Sequence, residues 1–182
     1  CDVEDADVYL DDIGAFSPSW EHHVELLRTL LTKLQDNGFT VNPLKCDWAV
    51  QETDWLGYWL TPSGLKPWKK KIDAVLNMEP PKSLKELRGF IGMVNYYRDM
   101  WFCRSELLAP LTSLTSSNVK FEWLPSHQQA FDKIKKVIET EVLLAYPDFD
   151  KPFHIYTDAS KYQLGAVIVQ EDKPIAFYSR KL

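Results

Sequence analysis

Residues 8–13 read Val-Tyr-Leu-Asp-Asp-Ile, which places two adjacent carboxylates, Asp11 and Asp12, between apolar residues. The pattern predicts a β-hairpin with the acidic pair at its tip. Neighbouring side chains on a strand point to opposite faces, so adjacent aspartates converge on one spot only near a turn. Carboxylate oxygens suit Mg²⁺, which takes one or two protein carboxylates together with substrate phosphates. An exposed acidic turn without chemistry is the alternative interpretation of the same residues.

The charge of the chain is distributed unevenly. Its 182 residues are 45% hydrophobic and 26% charged, an ordinary globular composition, with a net charge of −5. Residues 1–27 contain eight Asp or Glu and no Lys or Arg, whereas residues 66–104 contain nine Lys or Arg against four Asp or Glu. An acidic segment followed by a basic one favours phosphate contact by the basic part.

The cysteines argue against a disulfide-rich secreted protein, and the apolar runs argue against a membrane-spanning protein. The three cysteines lie far apart, without the spacing of a metal site or a disulfide framework, which favours a reduced intracellular setting. No apolar run is long enough to span a membrane, so we expect no membrane association. Because the first residue is Cys rather than Met, we expect the chain to begin inside a longer polypeptide.

The first third of the chain alternates between helical and strand patterns. A cap within residues 17–19 and apolar residues at helical spacing predict a helix over residues 20–37. The residues at this spacing are Val24, Leu27, Leu31 and Leu34, and the helix is expected to lie on a sheet. A short strand is predicted over residues 39–41 and a hairpin over residues 55–67. Gly57 inside the hairpin strand marks a bulge or a close backbone approach.

The middle of the chain predicts helices separated by prolines. A basic helix begins at Lys69, and a capping box at residues 83–86 begins the next helix. The predicted buried residues of that helix are Leu84, Leu87, Ile91 and Val94. A shorter helix is predicted over residues 107–114, and another behind a second capping box at residues 126–129.

The last third changes to a strand period. Residues 153–158, 164–170 and 174–179 predict three antiparallel strands joined by short connections. Asp158 ends the first of them and is followed by the small residues Ala159 and Ser160. Taken alone, an Asp at a strand end is either a turn-former or a catalytic carboxylate.

Several segments of the chain, in order, are similar to one family. Residues 9–12 resemble the Tyr-X-Asp-Asp box of a polymerase palm, and residues 55–58 (Trp-Leu-Gly-Tyr) resemble a primer-grip hairpin. Residues 156–160 (Tyr-Thr-Asp-Ala-Ser) look like the start of a ribonuclease H domain. The other matching segments are residues 38–46 after the palm helix, 84–98 of the thumb, 109–112 and 121–123. The chain thus resembles the reverse transcriptases of gypsy-type long-terminal-repeat retrotransposons.

The resemblance implies an α+β fold in four segments. Residues 1–66 would form the C-terminal part of a polymerase palm, built of hairpins plus a helix, and residues 67–115 a small helical thumb. Residues 116–150 would form a connection helix and tether. Residues 151–182 would form the first three antiparallel strands of a truncated ribonuclease H-like domain.

The resemblance also implies the site residues. Asp11 and Asp12 would join a third, upstream carboxylate to hold two Mg²⁺ ions, with Mn²⁺ as a possible substitute. Asp158 would be the first metal-binding carboxylate of hybrid hydrolysis, and Lys45 falls near a lysine that protonates the leaving pyrophosphate. The residues expected to contact nucleic acid are Tyr9, Trp55, Leu56, Gly57, Lys69, Lys70, Lys71, Lys85 and Arg88.

The implied partners are an RNA or DNA template–primer duplex, dNTP and other parts of the same polyprotein. The implied location is a cytoplasmic virus-like particle or the nucleus. Because the chain holds two of three polymerase aspartates and one of four hydrolase carboxylates, we expect it to be inactive alone. Two alternatives remain: a non-catalytic nucleic-acid-binding or interaction module from a decayed or domesticated retroelement, and an ordinary α+β domain with coincidental motifs.

Overall fold

The computed structural model of the protein describes residues 3–140, 142–161 and 163–182. The chain forms two compact units, residues 1–55 and residues 56–182. Each unit has its own group of buried apolar residues. The α+β fold predicted from the sequence is confirmed, because both helices and antiparallel strands are present. The four-segment division stays a prediction.

The first unit is built on the predicted hairpin. Strands β1 (Ala6–Tyr9) and β2 (Asp12–Ala15) pair antiparallel, with Val8 opposite Ile13. Helix α1 (Trp20–Asp36) follows, and the side chain of its N-cap, Ser19, accepts a hydrogen bond from the His22 amide at 3.2 Å. A 3₁₀ turn (Pro43–Lys45) and strand β3 (Thr53–Trp55) complete the unit.

The apolar residues of α1 that recur at helical spacing are only partly buried, since Leu27 and Leu34 are half-buried. The helix buries Leu26 and Leu30, whereas Val24 is 39% and Leu31 is 41% exposed. The helix carries apolar residues on two overlapping faces, so periodicity alone does not choose between them. The choice is made by packing, because Leu26 and Leu30 lie against Val3 and the small hairpin residues Ala6 and Ala15.

The predicted strand over residues 39–41 is wrong, since these residues lie outside the strands of the structure. The Phe39 amide donates to the Leu34 carbonyl at 2.9 Å, which closes the C-terminus of α1. The Asn42 side chain then accepts from the Leu44 amide at 3.1 Å and caps the next turn. The residues at the two ends of this segment therefore close one helix and cap the next turn.

The second unit combines five strands with four helices in the described residues. Its strands are β4 (Tyr58–Thr61), β5 (Gly64–Pro67), β6 (His154–Ala159), β7 (Gln163–Gln170) and β8 (Lys173–Lys181). Its helices are α2 (Lys69–Leu76), α3 (Leu84–Tyr96), α4 (Arg104–Ser113) and α5 (Pro125–Glu139). Strands β4 and β5 form the predicted hairpin, and β6, β7 and β8 form an antiparallel sheet in that order.

The helices of the second unit enclose its main core. Phe90 of α3 and Phe131 of α5 are at most 1% exposed, and their ring centroids lie 4.6 Å apart. Full burial of a side chain of this size contributes about 1.5–3 kcal/mol. Of the predicted α3 stripe, Leu87 and Val94 are buried while Leu84 and Ile91 are half-buried, and Phe90 completes the buried face.

Two helix starts show how capping sets the boundaries. Ser83 caps α3 as predicted, accepting from the Glu86 amide at 3.2 Å, while the Glu86 carboxylate accepts from the Lys82 amide at 2.8 Å. The predicted cap at Ser126 is wrong, because α5 begins at Pro125. Proline suits the first helical position because the amide it lacks would have no partner inside the helix. The Leu124 amide donates to His127 Nδ1 at 2.9 Å.

The C-terminal sheet is fastened to the helical core through β8. Ser179 is 5% exposed, and its hydroxyl accepts from the Ser105 amide at 2.9 Å while its carbonyl accepts from Arg104 at 3.2 Å. The buried Gln170 side chain donates to the Asp148 and Lys151 carbonyls at 2.7 and 3.1 Å.

Across the described residues, no helix is both long and apolar enough to cross a bilayer.

Candidate functional sites

The tip of the first hairpin presents the acidic pair to solvent. Leu10 and Asp11 form the turn, and Asp11 and Asp12 are both exposed. Tyr9 is 55% exposed and lies directly opposite Asp12, so the phenol ring and this carboxylate share one face. Leu10 adopts a left-handed backbone, φ 57°, a conformation that disfavours residues other than Gly. The turn therefore displays its carboxylates on a strained backbone.

The chemistry of the tip fits a hard divalent cation. Two neighbouring exposed carboxylates offer the oxygen ligands that Mg²⁺ prefers. Residues 3–140, 142–161 and 163–182 contain no cluster of three or more His, Cys, Asp or Glu side chains that could hold a metal ion. The hairpin thus offers a pair of ligands, Asp11 and Asp12.

Trp55 and Lys45 lie in the same unit as this hairpin. The Trp55 ring lies against β2, since a Cβ added to Gly14 would be 3.4 Å from Trp55 Cη2. Lys45 ends the exposed 3₁₀ turn, and its side chain is exposed. The structure therefore brings Trp55 into contact with the acidic hairpin, and it places Lys45 on a separate turn.

A second turn, at Leu56 and Gly57, is held by tyrosines of α3 and its C-cap. The Tyr96 hydroxyl donates to the Leu56 carbonyl at 2.5 Å, and the Tyr97 hydroxyl donates to the Gly57 carbonyl at 2.6 Å. Sequence reasoning did not assign these two tyrosines to a site. The available signal was an aromatic pair at the end of a helix, which by itself is equally typical of core packing.

The basic residues predicted to contact nucleic acid divide into two groups. Lys69 and Lys70 are exposed on α2, and Lys71 is half-buried with its Nζ 3.8 Å from the Tyr96 ring centroid. Lys85 and Arg88 are exposed near the start of α3, about 17 and 12 Å respectively along the helix from Tyr96 at the helical rise per residue. The structure therefore places Lys71 at the Leu56–Gly57 turn, and Lys85 and Arg88 at the other end of α3.

Asp158 lies in a cleft between the start of α4 and the C-terminal sheet. The cleft has a volume of about 510 Å³, and its lining includes Phe102, Cys103, Glu106, Asp158 and Lys181. Burial raises the pKa of the Cys103 thiol, and the nearby carboxylates of Glu106 and Asp158 raise it further. The thiol is therefore held in its protonated form at neutral pH, and the acidic side chains dominate the charge beside it.

Comparison with known families accounts for both ends of the chain. The profile of the family described as "Reverse transcriptase (RNA-dependent DNA polymerase)" matches residues 5–60. The profile described as "RNase H-like domain found in reverse transcriptase" matches residues 123–182. The chain belongs to the reverse transcriptase and ribonuclease H family of gypsy-type retrotransposons. This reverse transcriptase segment carries its acidic hairpin within the first match and Asp158 within the second.

The similar proteins are retroelement polyproteins. The chain is 37% identical to a Retrovirus-related Pol polyprotein from transposon opus of Drosophila melanogaster, covering 96% of this chain and 19% of that protein. It is 36% identical to the Transposon Tf2-3 polyprotein of Schizosaccharomyces pombe, covering 96% of this chain and 13% of that protein. The chain therefore spans less than a fifth of the length of these relatives.

Solved structures of foamy viral protease-reverse transcriptase are similar across nearly the whole chain. One, in complex with double-stranded DNA, aligns with a TM-score of 0.91 and 25% identity over 99% of this chain and 32% of that chain. Another, in complex with an RNA/DNA hybrid, aligns with a TM-score of 0.88 and 25% identity over 97% of this chain and 25% of that chain.

Proposed function

We propose that this segment supplies the nucleotidyl-transfer hairpin and the primer-holding surface of an RNA-directed DNA polymerase, together with the first strands of its ribonuclease H. The observation that carries the proposal is the exposed pair Asp11 and Asp12 at a hairpin tip inside the reverse transcriptase match. A polymerase needs carboxylates that face its substrate.

Asp11 and Asp12 are the residues that would hold Mg²⁺, or Mn²⁺ in its place, together with a carboxylate supplied from elsewhere in the polyprotein. The chemistry that bound divalent ions would supply there is activation of the attacking hydroxyl and stabilisation of the charge on the phosphates. Tyr9, on the same face as Asp12, would contact the nucleic acid beside the carboxylates. Lys45 would donate a proton to the departing pyrophosphate.

The remaining residues would position the duplex. Trp55, supported against Gly14, and the turn at Leu56 and Gly57 would contact the primer backbone. Phosphate contacts fix the position of a duplex without reading its sequence, which suits a polymerase. The cations proposed for these contacts are Lys69, Lys70, Lys71, Lys85 and Arg88.

The proposed partners are a template–primer duplex, dNTP and the rest of the polyprotein. The foamy viral enzymes bound to nucleic acid support the proposal that a duplex is a partner, since the present chain aligns with them over nearly its full length. The relation to retrotransposon polyproteins supports a site of action in a cytoplasmic virus-like particle or in the nucleus. Asp158, within the ribonuclease H match, would serve as a metal-binding carboxylate for cleavage of the RNA strand.

Binding of a labelled template–primer to the 182-residue chain, followed by fluorescence anisotropy at increasing salt, tests the proposed function. We expect saturable binding that weakens steeply with salt, because each neutralised phosphate releases counterions. Binding that is absent at low salt would contradict the proposal.

We further propose that the chain alone neither extends a primer nor cuts a hybrid, because the hairpin offers only two carboxylates to the polymerase site. Primer extension and hybrid cleavage with Mg²⁺ test this proposal, and we expect no turnover. Turnover that is abolished by Asp11→Asn or by Asp158→Asn would show that the chain is active by itself.

A further inference from the structure

The turn at Leu56 and Gly57 has a backbone that needs external support. Leu56 has φ 47° and Gly57 has φ 78°, so two successive residues occupy the left-handed region. This region is unfavourable for Leu, and such conformations persist where surrounding groups fix them. The supporting groups here come from about 40 residues further along the chain.

Two tyrosines provide that support through two consecutive carbonyls. Tyr96 donates to the Leu56 carbonyl and Tyr97 to the Gly57 carbonyl, at 2.5 and 2.6 Å. Tyr97 is 2% exposed, and its hydroxyl also accepts from the Trp68 amide at 3.3 Å, which ties the turn to the start of α2. Burial raises the pKa of Tyr97 to about 12, so its hydroxyl remains a donor at neutral pH.

Tyr96 also fixes the position of a cation. Lys71 Nζ lies 3.8 Å from the Tyr96 ring centroid, within the range of a cation–π contact. A Cβ on Gly57 would lie 2.5 Å from Lys71 Nζ and 2.6 Å from the Tyr96 hydroxyl oxygen. The ammonium group, the phenol and the bare Cα of Gly57 are therefore packed at one point. Lys71 is half-buried there, whereas Lys69 and Lys70 of the same helix are exposed, with Lys70 Nζ 5.1 Å from the Trp68 ring centroid.

We propose that Tyr96 and Tyr97 are positioning residues for the primer end, and that Tyr96 holds Lys71 beside the Leu56–Gly57 turn as the cation for a phosphate near that end. The inference rests on the proposed function of this turn as a primer contact. A strained turn that is fixed by hydrogen bonds from two phenols presents a rigid surface to the nucleic acid. An ammonium group that is already restrained loses less conformational freedom when it binds phosphate.

The experiment uses the 182-residue chain and a template–primer that carries 2-aminopurine as the last primer base. Three variants remove one group each: Tyr96→Phe, Tyr97→Phe and Lys71→Met. The matched controls are Tyr178→Phe, an exposed tyrosine on β8, and Lys136→Met, an exposed lysine on α5. Circular dichroism establishes that each variant is folded, and Tyr96→Phe carries the test if the buried Tyr97 variant does not fold.

We expect two different signatures. Lys71→Met should weaken duplex binding about three- to tenfold and lower the slope of log affinity against log salt by about one. Tyr96→Phe should leave that slope unchanged, because no charge is lost, while it reduces the change in 2-aminopurine fluorescence on binding. The two control variants should resemble the wild-type chain in affinity, slope and fluorescence.

Two outcomes would overturn the inference, and they are distinguishable. If the wild-type chain binds the duplex but Tyr96→Phe and Lys71→Met behave like the controls, the positioning role fails while the proposed function stands. If the wild-type chain does not bind the duplex at all, the proposed function fails and the inference fails with it.

Discussion

The two turns of this protein show opposite treatments of a strained backbone. At the acidic hairpin, Leu10 is left-handed, and its side chain is 85% exposed beside the exposed Asp11 and Asp12. At the other turn, Leu56 and Gly57 are left-handed, and both carbonyls accept hydrogen bonds from tyrosines. Ligands for a metal must leave their oxygens accessible, whereas a surface that only positions a partner is better fixed. The contrast fits the roles proposed for the two turns.

The largest expected effect concerns the support under the acidic hairpin. Leu26→Ala removes a side chain that is 5% exposed and packs beneath the hairpin, and it should cost about 2–3 kcal/mol. Leu31→Ala is the matched control, because Leu31 is 41% exposed, and it should change stability by no more than about 0.5 kcal/mol. Hydrogen exchange of the α1 amides measures both changes. Equal effects would mean that the helix buries a different face.

The next effect concerns the support of the second turn. The folded-state pKa of Tyr97 is raised from 10.0 to about 12, chiefly by burial. The stability contributed by the protonated phenol is therefore complete below pH 10 and is lost as the pH rises from 10 towards 12. At about 1.4 kcal/mol per pKa unit, the loss should approach about 2–3 kcal/mol.

Denaturant unfolding between pH 8 and pH 12 measures that loss, with Tyr97→Phe as the control. The variant should lose less stability over the same range, although burial also raises the pKa of Tyr58 and so part of the loss should remain. Identical pH profiles for the variant and the wild type would rule out Tyr97 as the cause.

A somewhat smaller effect is expected from adding one methyl group at the second turn. Gly57→Ala should cost about 2 kcal/mol, because φ is 78° and the new Cβ would meet Lys71 Nζ and the Tyr96 hydroxyl. Gly92→Ala on α3 is the control, since nothing lies within 4 Å of a Cβ there, and it should stabilise the helix by about 0.5–1 kcal/mol. Thermal unfolding distinguishes a loss from a gain, and two changes of the same sign would contradict the expectation.

The smallest effect on stability is expected at the acidic tip itself. Asp11→Asn should change the free energy of unfolding by no more than about 0.5 kcal/mol, because the side chain is exposed. It should nevertheless weaken metal binding, which Fe²⁺ with ascorbate reports by cleaving the backbone near the bound ion. We expect cleavage around residues 9–13 in the wild type and little in the variant. Equal cleavage in both would exclude Asp11 as a ligand.

Local chemistry allowed much of this fold to be predicted. The acidic hairpin, the cap at Ser83 and the three C-terminal strands follow from residue patterns of four to ten positions, and the structure contains each of them. Helical spacing did not identify the most buried residues of α1, because two leucine stripes overlap and the small residues Ala6 and Ala15 pack against one of them. That selection depends on tertiary packing, which a helical period does not contain.

The candidate sites divide in the same way. The sequence singles out Asp11, Asp12 and Asp158 as candidates because each stands in a short recognisable motif, and their roles stay predictions. The link from Tyr96 and Tyr97 to the turn at Leu56 and Gly57 was not predictable, because it joins residues 40 positions apart. The pattern of a tyrosine pair at a helix end indicates burial, and it does not indicate which backbone carbonyls the hydroxyls will meet.

The attachment of the last strands has a consequence for proteolytic processing. The segment around Phe149, which is 83% exposed, offers a protease an accessible bond. Hydrogen bonds cross this point, from the Ala145 amide to the Pro174 carbonyl and from the Gln170 side chain to the Asp148 carbonyl. Ser179 is fastened separately to Arg104 and Ser105. After cleavage at Phe149, the two polypeptides would therefore remain associated as one complex. They would separate only under denaturing conditions.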